Sequence, residues 1–444
     1  MASNAIVNMF KVKELRGRLF FTLVVLAVFR LGSVITIPGI DANVLLQHFE
    51  DLAAQNNNAF ASYMDFFVGG AFSKFSIFML GVMPYISMQI IMQLAVIIFP
   101  SLKRISQEDG GQRKIASYIR FGTIVVCIIQ AWGVTVMADS IPGCVVFDNA
   151  IAFKVLSIIT VTTGSMVTIW LGDQITARGI GNGVSMMIFA GIVARLPSAV
   201  ADLVQAVKNG EPQLVFVILV LIMFIVIIAL VIFEEAGQRK IPVHYAKRVV
   251  GRKMYGGQST YIPFKVNPSN VIPLIFANSL LTLPLILVET FSKGANAKPW
   301  VGALSRILQP TGIWYNVLAV VLIIFFAYFY TQVTLNPTEI AKNIRENGGS
   351  IPGVRTDKTE EYLTKILNRL ILPGSLFLAL IAVIPTVIQH AFGFPQSVAQ
   401  LMGGTSLIIM VGVDLDTMSQ VEALLKMHHH EGLTKKGKIR SRSL

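Results

Sequence analysis

The sequence predicts an all-α, polytopic membrane protein with ten transmembrane helices in two five-helix halves of inverted orientation. Three observations predict it. Hydrophobic residues make up 54% of the chain and charged residues only 14%, at a mean hydropathy of +0.66, too little polar surface for a soluble fold. Ten apolar stretches come close to the roughly 20 helical residues needed to cross a hydrocarbon core about 30 Å thick. The basic residues alternate in position, with 28 of the 37 Lys and Arg on one side, counting Arg369 at the edge of the ninth span, and 4 on the other.

The spans are expected at 19–37, 73–100, 118–138, 151–172, 183–206, 213–233, 267–289, 314–335, 369–389 and 397–422. Residues 1–18 form a cytoplasmic segment in which Lys11, Lys13, Arg16 and Arg18 directly precede a full-length first span, so no cleavable signal peptide is expected. Pro212 to Phe233 contains no charged residue and qualifies as a span alone. The basic alternation places both termini in the cytoplasm and requires an even number of spans. The halves, 19–206 and 207–422, meet near Lys208 to Pro212, and a basic tail occupies 423–444. An odd number of spans per half inverts the second, an arrangement that sets the working site near the bilayer midplane.

The stretch from Phe60 to Pro100 stands apart. It carries only two formal charges, Asp65 and Lys74, yet as one helix it would reach roughly 60 Å, twice what a bilayer core needs. Gly69-Gly70, Gly81 and Pro84 supply breaks, so a short helix, a hinge and a full span are expected. Lipid tolerates broken backbone only where protein buries it or it lines a cavity. That points to a conduit.

Two connections on the cytoplasmic side are long. Residues 234–266 alternate apolar and basic around Gly256-Gly257, which predicts a hairpin-like excursion. Residues 336–368 carry NGGSIPGVRTDKTEEYL. Long connections with a pattern of their own are usually functional. Seven Lys/Arg in the first arm exceed what topology and anionic lipid require, which favours an acidic or RNA-rich partner.

Other features carry plainer meanings. The glycine-rich run Arg178 to Pro197 follows a span, so it lacks the strand that a phosphate cradle needs; a tight turn, with Gly181 and Gly183 against a neighbouring helix, fits better. Arg30 inside the first span costs about 2.5–3.5 kcal/mol if central; pairing within the bundle and snorkelling toward an interface are both open to it, and a structural role is favoured over an ion pathway. His428 to His430 lack spaced partner ligands, and Cys127 and Cys144 make no disulfide framework. No nucleophile, base and orienter can be assembled, so no enzyme, metal or cofactor is expected. A ten-span secondary transporter of a small solute is the alternative, but it calls for ionisable midplane residues that these spans lack.

The segments ITIPGIDA, FVGGAFSKFSIFMLGVMPYIS, WLGDQITARGIGNGVS, GQRKIPVHYAKR, NVIPLIFANS and MGGTSL, in this order, resemble the SecY family from about Lys13 to Gln420. SecY is the central subunit of a protein-conducting channel in the cytoplasmic membrane. The resemblance implies a central pore between the halves and a plug helix at 60–74, including Phe60, Asp65, Phe66, Phe67, Gly69 and Gly70. It implies a pore ring of Val82, Ile86, Val184, Ile188, Ile275 and Ile409, with valine at 82 and 184 where the family often has isoleucine. Branched apolar side chains at a constriction exclude water and ions while letting diverse peptides slide.

The resemblance further implies a lateral gate with polar residues Gln93, Gln130 and Asn278, held by interhelical hydrogen bonds of about 0.6–2 kcal/mol. It implies docking of a SecA motor ATPase or the ribosome at Arg239, Lys240, Lys247, Arg248, Arg252, Lys253 and Arg355. Subunits of the SecE and SecG types, signal peptides, nascent polypeptides and membrane lipids complete the implied partners.

Overall fold

The computed structural model describes residues 12–41, 44, 45, 47, 65, 68–139, 141–147, 149–208, 214–245, 248–250, 253–255, 259–292, 307, 312–392, 398 and 404–436. Among them a helix lies at each expected span. The first half holds α1 (Lys13–Gly32), α2 (Met83–Ile98), the short α3 (Pro100–Gln107), α4 (Gly111–Asp139), α5 (Ala150–Arg178) and α6 (Gly183–Lys208). After α7 (Leu214–Ala236) come four strands, β1 (Gln238–Tyr245), β2 (Arg248–Val250), β3 (Lys253–Tyr255) and β4 (Ser259–Lys265). Then follow α8 (Ile272–Ser292), α9 (Ile313–Thr334), α10 (Pro337–Glu346), β5 (Gly349–Ser350), α11 (Thr359–Phe392) and α12 (Gly404–Lys436).

Six of these helices are long and apolar enough to cross a membrane, and α2 with α3, bent by 102°, makes a seventh candidate. The bend has a local cause. Proline disfavours helical backbone in the residue before it, and Phe99, preceding Pro100, is extended at φ −100 and ψ 111. The helix α1 is shorter in apolar length because Lys13, Glu14, Arg16 and Arg18 occupy its first turns. Large apolar side chains such as Phe233 and Ile313 are about 80% exposed, as lipid-facing residues are.

Three expectations need correction. The second span does not begin at residue 73. Residues 68–82 run as successive turns and helix starts only at Met83, since Gly69, Gly70, Gly81 and even Phe75 hold positive φ, and Pro84 sits at the first turn of α2. The ninth span begins about ten residues early, at Thr359, where Glu360 and Glu361 complement the helix dipole. The tenth continues as backbone helix to Lys436, through most of the expected tail.

Contacts divide the chain into two compact units, 1–197 with 409–444, and 198–408. In the first, α2 packs on α4, α4 on α5 and α1 on α5. Leu15, Ile180 and Val421 form a small core that ties the start of α1 and the α5–α6 turn to α12. In the second, α8 and α11 both pack on α9, with Phe276 edge-on to Phe326 and Tyr330.

The predicted hairpin excursion is present. β1 pairs antiparallel with β4 from Gln238↔Lys265 to His244↔Ser259, and β2 with β3 at its tip. Its other edge pairs with β5 through His244↔Ser350 and Tyr245↔Gly349, giving the order β4-β1-β5. The two long connections are therefore one body, not two separate arms. Ile241, Val243 and Phe264 from the first share a core with Ala341, Ile344, Ile351, Leu363 and Leu367 from the second.

Candidate functional site

The break after Asp65 is held by polar contacts in an otherwise apolar neighbourhood. Asp65 accepts the Ser73 backbone N–H at 2.8 Å through Oδ1, and its Oδ2 is ion-paired with Arg195 of α6. Its main-chain carbonyl accepts the Gly70 N–H at 2.9 Å. From α1, Arg30 donates to the Gly69 carbonyl at 2.5 Å and to Ser33 Oγ at 3.3 Å. Gly69 is indispensable in shape as well. Its φ is +69, and a Cβ there would come within 2.8 Å of the Gly191 backbone.

The turns that follow are stitched into place. Ile37 donates to the Phe75 carbonyl at 2.9 Å, and Ile77 to the Ile35 carbonyl at 3.0 Å. Phe75 holds φ 41, an unusual conformation for a large residue, and is 1% exposed with its ring 6.2 Å from Phe72. Phe78 stacks on Phe29 at 5.9 Å. Protein therefore buries this irregular backbone, as the lipid environment demands.

Val82 and Ile86 stand one turn apart at the start of α2, with the Ile86 N–H on the Val82 carbonyl at 3.2 Å, and both are buried. Val184 and Ile188 repeat this spacing on α6, the first half-buried and the second buried. Asn182 caps α6 by accepting from the Val184 and Ser185 N–H groups at 3.1 and 3.4 Å. The expected glycine turn is confirmed. A Cβ on Gly183 would lie 1.8 Å from the Gly172 carbonyl, and the Gly181 N–H donates to Gln420 at 2.9 Å. Ile409 is buried in α12, and Ile275 is half-buried in α8 of the second unit.

Of the polar gate positions, Gln93 on α2 is half-buried and its Oε1 accepts no hydrogen bond among the described residues. Gln130 on α4 is buried, as is Asn278 on α8. Phe60, Phe66 and Phe67 of the expected plug lie outside the described residues, as do Lys247 and Arg252 of the expected docking set.

Arg239 and Lys240 are exposed on β1, and Lys240 Nζ lies 4.7 Å from the Tyr261 ring centroid on β4. Arg248 and Lys253 belong to the β2–β3 tip. Arg355 is exposed after the Gly353 turn, its carbonyl accepting the Lys358 N–H at 2.9 Å, and Arg345 braces the next residue through the Thr356 carbonyl at 3.3 Å. The β1–β5 pairing ties the strand that precedes this turn to the sheet that carries Arg239 and Lys240.

The hairpin base is pinned to the end of α7. Glu235 accepts from Asn267 at 3.4 Å and from the Asn270 amide at 2.5 and 3.0 Å, with Lys265 Nζ 3.9 Å away. Sequence reasoning missed this pin and missed Arg195. The available signal was pairing by necessity: Asp65 is the one acidic residue in the overlong apolar stretch and required a cation from another span.

Comparison with known proteins fits this geometry. The sequence pattern that defines the SecY family matches residues 76–418. The protein translocase subunit SecY of Borreliella burgdorferi is 44% identical over 94% of this chain and 94% of its own length. The fold matches a solved structure described as the SecY plug domain stabilising the closed state of the translocation channel, with a TM-score of 0.64, 20% identity and 92% of both chains covered. It also matches Sec61 in a canine ribosome-channel complex, with a TM-score of 0.57, 19% identity and 92% of both chains covered. Matched by the family's pattern over more than half of its length and 44% identical to a SecY along almost its whole length, the chain belongs to the SecY family.

Proposed function

We propose that this chain is the central subunit of a protein-conducting channel. It passes unfolded secretory polypeptides across the cytoplasmic membrane and releases hydrophobic segments sideways into the bilayer. The observation that carries this reading is the irregular, protein-buried backbone of residues 68–82, leading directly into the branched apolar pair Val82 and Ile86. A solid helix bundle has no use for such a break. A stopper joined to a constriction does.

In this reading Asp65 to Lys74 belongs to the plug, and Val82, Ile86, Val184, Ile188, Ile275 and Ile409 form the ring that bars ions. Gln93, Gln130 and Asn278 line the side exit. The chain does no chemistry itself. Driving force comes from a motor ATPase of the SecA type or from the translating ribosome, with small subunits of the SecE and SecG types bound. Both termini face the cytoplasm, in line with the basic alternation. The test is reconstitution with these partners and protease protection of a secretory preprotein. Protection that depends on the motor supports the channel, and none despite a competent motor rejects it.

Docking is tested separately. Because Arg355 is exposed and its turn is braced by backbone contacts, Arg355→Glu leaves the fold intact. It is expected to lower motor-driven transport about tenfold or more, the scale of a lost charged hot spot with its repulsive replacement. Membrane insertion of the variant itself remains normal, as read by its yield in washed membranes.

A further inference from the structure

We propose that Asp65 and Arg195 form an ion-pair latch that holds the plug hinge closed and lets go when the cavity fills with water. The proposal rests on the channel reading above. Asp65 has a side chain only 4% exposed, and that of Arg195 is 30% exposed, so the pair sits largely out of water. Asp65 ties three places together. It meets α6 through Arg195, it takes the Ser73 N–H beyond the hinge, and its own main chain takes the Gly70 N–H within it. Any swing of the segment carrying Asp65 away from α6 must separate the two charges.

Such a pair is suited to a gate in a way that an apolar contact is not. In a dry, low-dielectric setting, separating opposite charges is costly, and breaking a buried pair by removing one partner is strongly destabilising. Once an incoming polypeptide brings water, each ion recovers its hydration and the attraction falls steeply. Apolar contacts behave in the opposite sense and tighten against water. The latch therefore favours the closed state when dry and weakens once the path is wet, a two-state element biased by what occupies the channel. Arg30 acts differently. It donates to the Gly69 carbonyl from α1, a backbone contact that anchors the hinge itself and does not depend on Asp65.

A double-mutant cycle tests the latch in the full chain, reconstituted with its partner subunits in planar bilayers and in vesicles. Asp65→Asn keeps an oxygen for the Ser73 N–H and removes only the charge, and Arg195→Gln removes the other charge. Each is expected to raise resting ion conductance by about tenfold or more, with the double variant no leakier than the worse single variant. Arg195→Lys, which keeps the charge, is expected to stay within about threefold of the parent chain, and it decides the matter if Asp65→Asn fails to accumulate. Unchanged conductance in both single variants, or effects that multiply in the double, overturns the latch. The same vesicles separate this outcome from failure of the channel reading. A parent chain that transports a preprotein while its variants show no added leak overturns the latch alone, whereas a parent chain that transports nothing removes its basis.

Discussion

Replacing Ile86 and Ile188 together by Asn is expected to raise the ion conductance of the resting channel by at least about tenfold. An amide at an apolar constriction gives water a partner there, and each such group changes the cost of a wet state by about 1–3 kcal/mol on the protein scale. Every 1.4 kcal/mol is about tenfold in population. Both positions are buried, 3% and 4% exposed, on helices whose first turns are fixed by Pro84 and by the Asn182 cap, so the new amides have little freedom to turn away. Single-channel recording with the partner subunits bound is the measurement, and Ile86→Leu, which keeps the volume and stays apolar, is the control that should remain sealed. If the Asn variants lose thermal stability but leak no more than the parent, these residues are core packing and the ring assignment falls.

The second large effect concerns Gly164 on α5. A Cβ there would lie 2.0 Å from the Ile77 carbonyl oxygen and 2.7 Å from its Cγ2. The carbonyl is backbone, in the stretch whose Ile77 N–H is bound to Ile35, so it cannot swing aside as a side-chain tip would. Gly164→Ala is therefore expected to destabilise the protein by roughly 2 kcal/mol or more, in the range of overpacked interiors, and to lower its melting temperature in detergent by several degrees. Gly17→Ala provides the contrast. Gly17 is exposed in α1 with nothing within 4 Å of a new Cβ, so the same change there removes a helix-breaking residue and should stabilise by up to about 1 kcal/mol. Equal melting temperatures for the two variants would mean that α5 does not approach the post-hinge turns as closely as the fold requires.

These two sites differ in how visible they were beforehand. The membrane class, the number of helices and the break after Gly69-Gly70 are written locally. Hydropathy is set by each residue's own transfer free energy, and glycine and proline act on their own backbone. The hairpin of 234–266 was likewise legible, since alternation around a glycine pair is a short-range signal. Gly164, by contrast, looks like any small residue in a span. Its meaning lies in Ile77, far along the chain, and no local pattern reports that approach.

Four further matters were decided only by tertiary contact. The residues after the hinge were expected to be helical, but Ile35 and Ile37 pair with them and hold successive turns as far as Val82. The second long connection was expected to be another arm, yet it completes a sheet with β1 through Gly349 and Ser350 and shares its core through Ile344 and Ile351. Arg30 was legible as a costly intramembrane charge that could pair or snorkel, but that it pairs with a carbonyl at the hinge was not. Arg195 and Asp65 are separated by more than a hundred residues, so nothing local in the sequence showed that each is the other's partner.

By itself, then, the sequence determined a ten-helix membrane protein with an interrupted second span, because apolar length, basic alternation and backbone breakers act where they stand, while its resemblance to the SecY family supplied the channel. Only the tertiary structure decided what holds the interruption in place. Burial in a low dielectric makes every polar group find a partner, and which partner it finds depends on which helices are neighbours.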